Sequence, residues 1–153
     1  MLSVTSNFFS GTLTLNLTAA DAVALSAVGG NVQLTINGIS GFNPDSGVQS
    51  AAGVKSIIIT ATDNFDNTID LTSINQTDYS SLVSINLDGG DGNDSYIINQ
   101  NTLPSAASVI IADSGGSGTD SLVSQSTGVG PETIGITAST LSRSGSPLVS
   151  YSG

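Results

Sequence analysis

Two nine-residue segments of this chain fit one formula, and they restrict the fold more than any other feature of the sequence. Residues 89–97 read GGDGNDSYI, and residues 115–123, which begin 26 positions later, read GGSGTDSLV. Both fit G-G-x-G-x-D-x-U-x, in which U is a large apolar residue. A glycine-rich acidic turn that precedes a short apolar strand and recurs at a fixed interval is typical of a chain that stacks successive coils.

The apolar segments around these turns recur at nearly the same interval. Segments of one kind lie before the turns, at residues 56–60, 83–87, 108–112 and 133–137, and segments of a second kind follow them, at 68–71, 95–98, 121–124 and 147–150. The alternation within 83–87 predicts that Val83, Ile85 and Leu87 share one face of a strand. We therefore expect an all-β protein whose residues 54–153 form a right-handed parallel β-helix (a β-solenoid) with coils of about 26 residues.

The first 53 residues follow a different pattern. Apolar positions alternate on both sides of Gly29 and Gly30, which predicts a β-hairpin, and residues 38–53 read as a long polar loop. Asp21, just before the hairpin, fits a remnant of the turn formula. Because an open end of a solenoid exposes unpaired backbone, we interpret residues 1–53 as an N-terminal antiparallel β cap, continuous with the coils in one domain. The sequence predicts no such cap at the other end, so we expect a longer natural chain or another subunit there.

The two segments resemble the calcium-binding nonapeptides of the RTX (hemolysin-type) repeat proteins, which bacteria secrete or carry at the cell surface. The resemblance covers about residues 54–124, and the full formula occurs twice within it. It implies calcium bound between stacked turns. This chain has one nonapeptide in each long coil, whereas the RTX β-roll has two in a shorter coil, so we expect a wider helix with calcium-type turns along one edge.

Stacked acidic turns have a direct electrostatic consequence. Like charges in neighbouring coils repel unless a cation lies between them, and Ca²⁺ prefers about six to eight oxygen ligands from carboxylates and carbonyls. Stacking is expected to place Asp63 and Asp66 above Asp91 and Asp94, and to bring Asp88 and Asp94 near Asp113 and Asp120 in the following coil. The predicted metal ligands are Asp63, Asp66, Asp88, Asp91, Asp94, Asp113 and Asp120, and the predicted turn glycines are Gly89, Gly90, Gly92, Gly115, Gly116 and Gly118. The alternative is a solvated ladder of aspartates without metal.

Composition argues against several classes of function. The formal net charge is −10, with only Lys55 and Arg143 as basic residues, so binding to nucleic acid or to an anionic membrane surface is disfavoured. The chain has no His and no Cys, which removes the usual catalytic triads and zinc sites. Lys55 and Arg143 fall in separate predicted coils. We therefore expect no enzymatic activity, and no apolar segment is long enough to insert into a membrane.

The expected function is structural. The acidic turns predict a secreted or cell-surface spacer module that folds on binding calcium, since external calcium would relieve the repulsion between coils. One alternative is a self-assembling fibre or surface-layer subunit, in which copies of the chain join by addition of a β-strand. Another is a carbohydrate-binding module that uses the loop at residues 38–53. Expected partners are Ca²⁺, further copies of the chain or further domains of a longer chain.

Overall fold

A computed structural model describes residues 3–62, 64–115, 117–125, 134–136, 140–143 and 147–152, with the backbone alone at 134–136 and 141–143. The described residues contain fourteen strands and one 3₁₀ turn, Ala51–Gly53. The strands are β1 (Val4–Phe9), β2 (Thr12–Leu17), β3 (Ala22–Val28), β4 (Asn31–Ile36), β5 (Ile39–Phe42), β6 (Ser56–Ala61), β7 (Thr68–Asp70), β8 (Ser84–Asp88), β9 (Ser95–Asn99), β10 (Ser108–Ala112), β11 (Ser121–Gln125), β12 (Ile134–Ile136), β13 (Thr140–Arg143) and β14 (Val149–Ser152). The predicted all-β class is confirmed.

The strands form two mixed sheets among the described residues. The long sheet has the order β1-β2-β6-β8-β10-β14-β13-β12, and the short sheet has the order β11-β9-β7-β3-β4-β5. The interior pairs of the long sheet, from β2 to β14, are parallel, and so are the pairs that join β3, β7, β9 and β11 in the short sheet. Antiparallel strands flank these parallel ladders in both sheets.

The chain passes repeatedly from the long sheet to the short sheet. We call a strand of the long sheet and the strand of the short sheet that follows it a rung. Rung 1 is β2 and β3, rung 2 is β6 and β7, rung 3 is β8 and β9, and rung 4 is β10 and β11. Each rung pairs in parallel with the one before it in both sheets. The turn between the two strands of a rung therefore lies beside the turn of the next rung.

Alternating apolar side chains from both sheets fill a single core. On β2, for example, Leu13, Leu15 and Leu17 are buried, and Ile57 and Ile59 repeat the pattern on β6. The buried residues of both sheets belong to one hydrophobic cluster. The sequence prediction is confirmed for Ile85 and Leu87 but is wrong for Val83. This residue lies before β8 and is exposed, because its neighbour Leu82 is the one buried in the core.

The N-terminal region contains the predicted hairpin and also the first rung. Strands β3 and β4 pair antiparallel around Gly29 and Gly30, both of which have the positive φ that a tight hairpin turn requires. Strands β2 and β3 belong to the parallel ladders, so parallel pairing begins within the range assigned to the cap. The predicted loop at 38–53 is partly wrong: it contains β5, and Asp45 is held to β1 through two hydrogen bonds with Ser6, at 2.7 and 2.9 Å.

The C-terminal prediction needs a larger correction. The segment 133–137 was expected to continue the long sheet after β10, but β14 pairs in parallel with β10, and β12 lies two strands further out. Val149 fills the inward position opposite Val109 and is fully buried. Short connections suffice for the antiparallel pairs β12–β13 and β13–β14, so the last segments form a meander. The prediction of parallel coils as far as residue 153 is therefore wrong for β12 and β13, which pair antiparallel.

Candidate metal centre

The turns of rungs 3 and 4 contact each other through glycine. The backbone N–H of Gly92 donates to the carbonyl of Ser117 at 3.0 Å. Gly92 and Gly118 have φ of 125° and 123°, and a Cβ on Gly118 would lie 1.6 Å from the carbonyl oxygen of Gly92. A side chain at this position would separate the two turns, so the glycine of the formula is required for their close approach. The predicted stacking of the two nonapeptide turns is confirmed.

One column of side chains joins the turns of all four rungs. The backbone N–H of Asp21 donates to Oδ1 of Asn67 at 3.1 Å, that of Asn67 to Oδ1 of Asp94 at 2.7 Å, and that of Asp94 to Oδ1 of Asp120 at 2.9 Å. Asp21, Asn67 and Asp94 are buried, whereas Asp120 is exposed. The acidic position of the formula therefore extends back to Asp21, as the sequence predicted.

Three carboxylates converge between rungs 3 and 4. Asp94, Asp113 and Asp120 each present an oxygen atom, and these three oxygens lie within 4.8 Å of one another. Asp94 is 2 % exposed and Asp113 is half-buried. Burial raises the pKa of Asp94 to about 6, and burial also raises the pKa of Asp113, with the charge of Asp120 acting in the same direction. This group of oxygens is suited to a metal ion, which would relieve both the burial cost and the repulsion.

Asp94 has one oxygen with no protein donor. Its Oδ1 accepts from Asn67, but its Oδ2 is buried without a hydrogen-bond partner. At the equivalent position of rung 2, the side-chain amide nitrogen of Asn67 donates to the carbonyls of Phe65 and Gly89, at 2.8 and 3.2 Å. The amide thus supplies positive charge density between rungs 2 and 3, and a cation would supply it between rungs 3 and 4.

Asp113 reaches this site because the connection in rung 4 is longer than that in rung 3. Leu87 pairs with Ile111 and Ser95 pairs with Ser121, so rung 4 has two more residues between these points. The register places Asp113 two positions after Ile111, on the inward face, whereas Gly89 lies at the matching place in rung 3. A Cβ on Gly89 would lie 2.4 Å from the carboxyl carbon of Asp94, so only rung 4 has room for this third carboxylate.

The remaining predicted ligands bind backbone groups of the next turn. Oδ1 of Asp88 accepts from the N–H of Ser114 at 3.0 Å, Oδ1 of Asp91 from Ser117 at 3.1 Å, and Oδ1 of Asp66 from Asn93 at 2.7 Å. Asp66 was expected above Asp94 but lies above Asn93, because Asn67 occupies the acidic position. Asp66, Asp88 and Asp91 lie outside the carboxylate triad, and their role as metal ligands stays a prediction. Asp63 and Gly116 lie outside the described residues.

The other predicted glycines lie in the same turns. Gly89 and Gly90 are buried, and Gly90 has φ of 79°. A Cβ on Gly115 would lie 1.9 Å from the carbonyl oxygen of Gly90, which shows that the two turns also approach closely at this point. The described glycines of the formula thus hold the acidic residues of successive rungs at contact distance.

Sequence reasoning did not identify the two tyrosines beside the triad. The hydroxyl of Tyr96 accepts from the N–H of Gly89 at 2.7 Å and donates to Oδ2 of Asp113 at 3.2 Å. Tyr151 lines a cleft with Asp113 and Asp120. A hydroxyl group on the large residue at the U position is a sequence signal that could have identified Tyr96. Tyr151 has no such signal, because only the pairing of β14 with β10 brings it to the site.

No protein-family model, curated protein or solved structure matches this chain. Within the described ranges, none of the helical structure has the length and apolar character needed to cross a membrane.

Proposed function

We propose that this chain is a calcium-stabilised structural module, built as a right-handed parallel β-helix and placed outside the cell as a spacer. The observation that carries the proposal is the convergence of Asp94, Asp113 and Asp120, with a buried oxygen of Asp94 left without a donor. A cation at this point would connect rung 3 to rung 4. Its role would be to fix the last rung rather than to take part in a reaction.

The strand order supports the β-helix part of the proposal. Four rungs alternate between two sheets, stack in parallel register and enclose one core, as the coils of a solenoid do. Antiparallel β1 and the β4–β5 pair cover the edges next to rung 1, and β12 and β13 lie outside β14. In this interpretation the flanking strands act as caps for the parallel ladders.

The chemistry of the ligands favours calcium. The triad offers carboxylate oxygens alone, and hard oxygen ligands suit Ca²⁺, Mg²⁺ and Mn²⁺ rather than metals that prefer sulfur or imidazole. Calcium tolerates irregular geometry and accepts backbone carbonyls, which the glycine turns can offer, whereas Mg²⁺ demands near-octahedral coordination. In low calcium the three carboxylates would repel, and at the higher calcium concentration outside a cell rung 4 would bind firmly to rung 3.

A melting experiment combined with native mass spectrometry tests this proposal. The proposal predicts that calcium adds one ion to the folded chain and raises Tm, that a chelator reverses both changes, and that Mg²⁺ at equal concentration has a smaller effect. Asp45→Asn is the matched control, because Asp45 is bound to Ser6 far along the chain from the triad. A chain that binds no calcium and melts at the same temperature with or without chelator would show the solvated aspartate ladder instead.

Self-assembly by strand addition is a second candidate, favoured by β11. This strand pairs with β9 on one side, contains no charged residue, and leaves Val123 45 % exposed. Natural sheet edges usually carry charges or proline that prevent such pairing. If copies join at this edge, filaments that lengthen with protein concentration should be visible by electron microscopy, and Val123→Lys should abolish them while the chain stays folded.

A further inference from the structure

The carboxylate triad opens onto a cleft with apolar walls. This cleft has a volume of about 190 Å³ and lies between the end of β10, β11 and β14. Asp113 and Asp120 line it together with Ile111, Leu122 and Tyr151. A cation held by the triad would therefore have protein on one side and the cleft on the other.

The triad alone does not complete the coordination of calcium. Asp94, Asp113 and Asp120 bring one oxygen each to within 4.8 Å of the others, whereas Ca²⁺ takes about six to eight oxygens. The second oxygens are partly committed, since Oδ1 of Asp120 accepts from Asp94 and both oxygens of Asp113 accept hydrogen bonds, from Gly115 and Tyr96. Backbone carbonyls and water can fill some positions, and those on the cleft side are open to a ligand.

We infer that this cleft binds a neutral ligand with vicinal hydroxyl groups, of the kind that a sugar ring carries, through a calcium ion held by the triad. This inference rests on the proposed calcium site. Two hydroxyl oxygens would complete the coordination, while the ring packs against Leu122 and Tyr151. Three carboxylates exceed the charge of one divalent ion, and the chain has a net charge of −10, so an anionic ligand is repelled. The volume is below that of a drug-sized pocket, which selects a single ring.

The location differs from that expected from the sequence, which placed a glycan site on residues 38–53. That segment contains β5 and a turn tied to β1, and it lies by the first rung. The aromatic side chains that line the cleft are Tyr96 of β9 and Tyr151 of β14. The site depends on calcium and on rung 4 at the same time.

Two probes that differ by one hydroxyl group test the inference. The probes are cis-cyclohexane-1,2-diol and cyclohexanol, titrated into the calcium-loaded chain and followed by backbone amide NMR, with methyl α-mannoside as the sugar. The diol and the sugar should shift the amides of residues 120–122 and 150–152, and cyclohexanol or excess chelator should leave them unshifted. Equal shifts from both cyclohexyl probes, or shifts that persist in chelator, overturn the inference.

Two matched variants separate the cleft from the rest of the strand. Leu122→Ala should weaken diol binding about three-fold or more, since it removes apolar contact from the cleft wall, and Val123→Ala on the exposed face of β11 should not. Native mass spectrometry of the same samples reports calcium. A calcium adduct without any diol response overturns this inference and leaves the calcium-stabilised module intact, whereas the absence of an adduct overturns both.

Discussion

Two neighbouring contacts between the turns of successive rungs, which we call junctions, have the same backbone arrangement but different side chains. The Asn67 junction lies between rungs 2 and 3, where the amide of Asn67 donates to the carbonyls of Phe65 and Gly89. The Asp94 junction lies between rungs 3 and 4, where Asp94 replaces that amide and faces two further carboxylates, Asp113 and Asp120. The first junction has its own hydrogen-bond donors, and the second requires a proton or a cation. We therefore expect the contact between rungs 2 and 3 to form without metal and the contact between rungs 3 and 4 to depend on it.

The largest expected effect comes from Gly118→Ala, which breaks the contact that both turns of the Asp94 junction share. The new Cβ would lie 1.6 Å from the carbonyl oxygen of Gly92, and φ at this position is 123°. Backbone atoms on both sides must move, so we expect a loss of about 4 kcal/mol or more in the free energy of unfolding. Chemical denaturation followed by circular dichroism measures this loss.

Gly41→Ala is the control for the backbone angle alone. Gly41 has φ of 98°, but a Cβ there would meet nothing within 4 Å. The control should lose about 1–2 kcal/mol, the cost of a left-handed conformation for a residue with a side chain. If the two variants lose equal stability, close contact between the turns does not govern the Asp94 junction.

Asn67→Asp is the next largest change and makes the first junction resemble the second. The carboxylate would face the carbonyl oxygens of Phe65 and Gly89, and two hydrogen bonds of 2.8 and 3.2 Å would be lost. We expect a loss of about 2–4 kcal/mol without calcium, because the N–H of Asp21 still donates to one oxygen of the new carboxylate but the other buried oxygen has no donor. Calcium should restore only part of this stability, since Gly89 lies where rung 4 has Asp113. Full restoration, measured as Tm against calcium concentration, would show that two carboxylates are enough.

This comparison also separates what the sequence predicts from what it does not. The recurrence of the formula predicts that Asp94 lies above Asp120, because the residues share a position in stacked turns. It does not predict the inward direction of Asp113, which depends on two extra residues between strands that pair in different registers. A shift of one residue reverses the face of a strand, so aligned motifs alone leave this direction open.

The C-terminal strands illustrate a second limit. The segment 133–137 has the same local pattern as the strands of the long sheet, yet β14 occupies the position beside β10. The choice depends on which apolar side chain fills the core opposite Val109, and Val149 does so. Strand propensity does not contain that information, because competing strands with similar local sequences differ only in their distant contacts. Tyr151 reaches the candidate site through this choice.

Asp94→Asn makes the Asp94 junction resemble the Asn67 junction. Its effect on stability without calcium should be smaller than that of Asn67→Asp and opposite in sign. Without calcium, an amide facing Asp113 and Asp120 should replace repulsion with hydrogen bonds and stabilise the chain by about 1–3 kcal/mol. In saturating calcium the variant should be less stable than the parent chain, because it loses a ligand and no longer gains from the ion. Thermal melts with calcium and with chelator measure both effects, and a calcium response equal to that of the parent chain would contradict the assignment of Asp94.

Without metal, the free energy of unfolding should change with pH by less than in the variants above. Titration of Asp94 should lower stability as pH rises, which is the opposite of ordinary acid denaturation. Burial raises the folded-state pKa of Asp94 from 3.8 to about 6, so its stabilising contribution is fully present below pH 3.8 and is lost as pH rises towards 6. We expect a loss on the order of 1 kcal/mol across this interval in chelator, after solvent screening. Asp94→Asn should flatten that slope, and an unchanged slope in the variant would assign it to other groups.

The smallest effect compares two buried tyrosine hydroxyls, one at the Asp94 junction and one remote from it. Tyr96→Phe leaves the N–H of Gly89 without its acceptor and removes the donor to Asp113, whereas Tyr79→Phe removes a donor to the carbonyl of Ser26 at 2.7 Å. Each hydrogen bond lost should cost about 0.5–1.5 kcal/mol in chelator, so Tyr96→Phe, which loses two, should cost more than Tyr79→Phe, which loses one. Only Tyr96→Phe should also alter calcium affinity, measured by calorimetry, since it removes one of the two donors that orient the carboxylate of Asp113. A similar change in affinity for Tyr79→Phe would mean that calcium responds to the stability of the whole stack rather than to the geometry of the Asp94 junction.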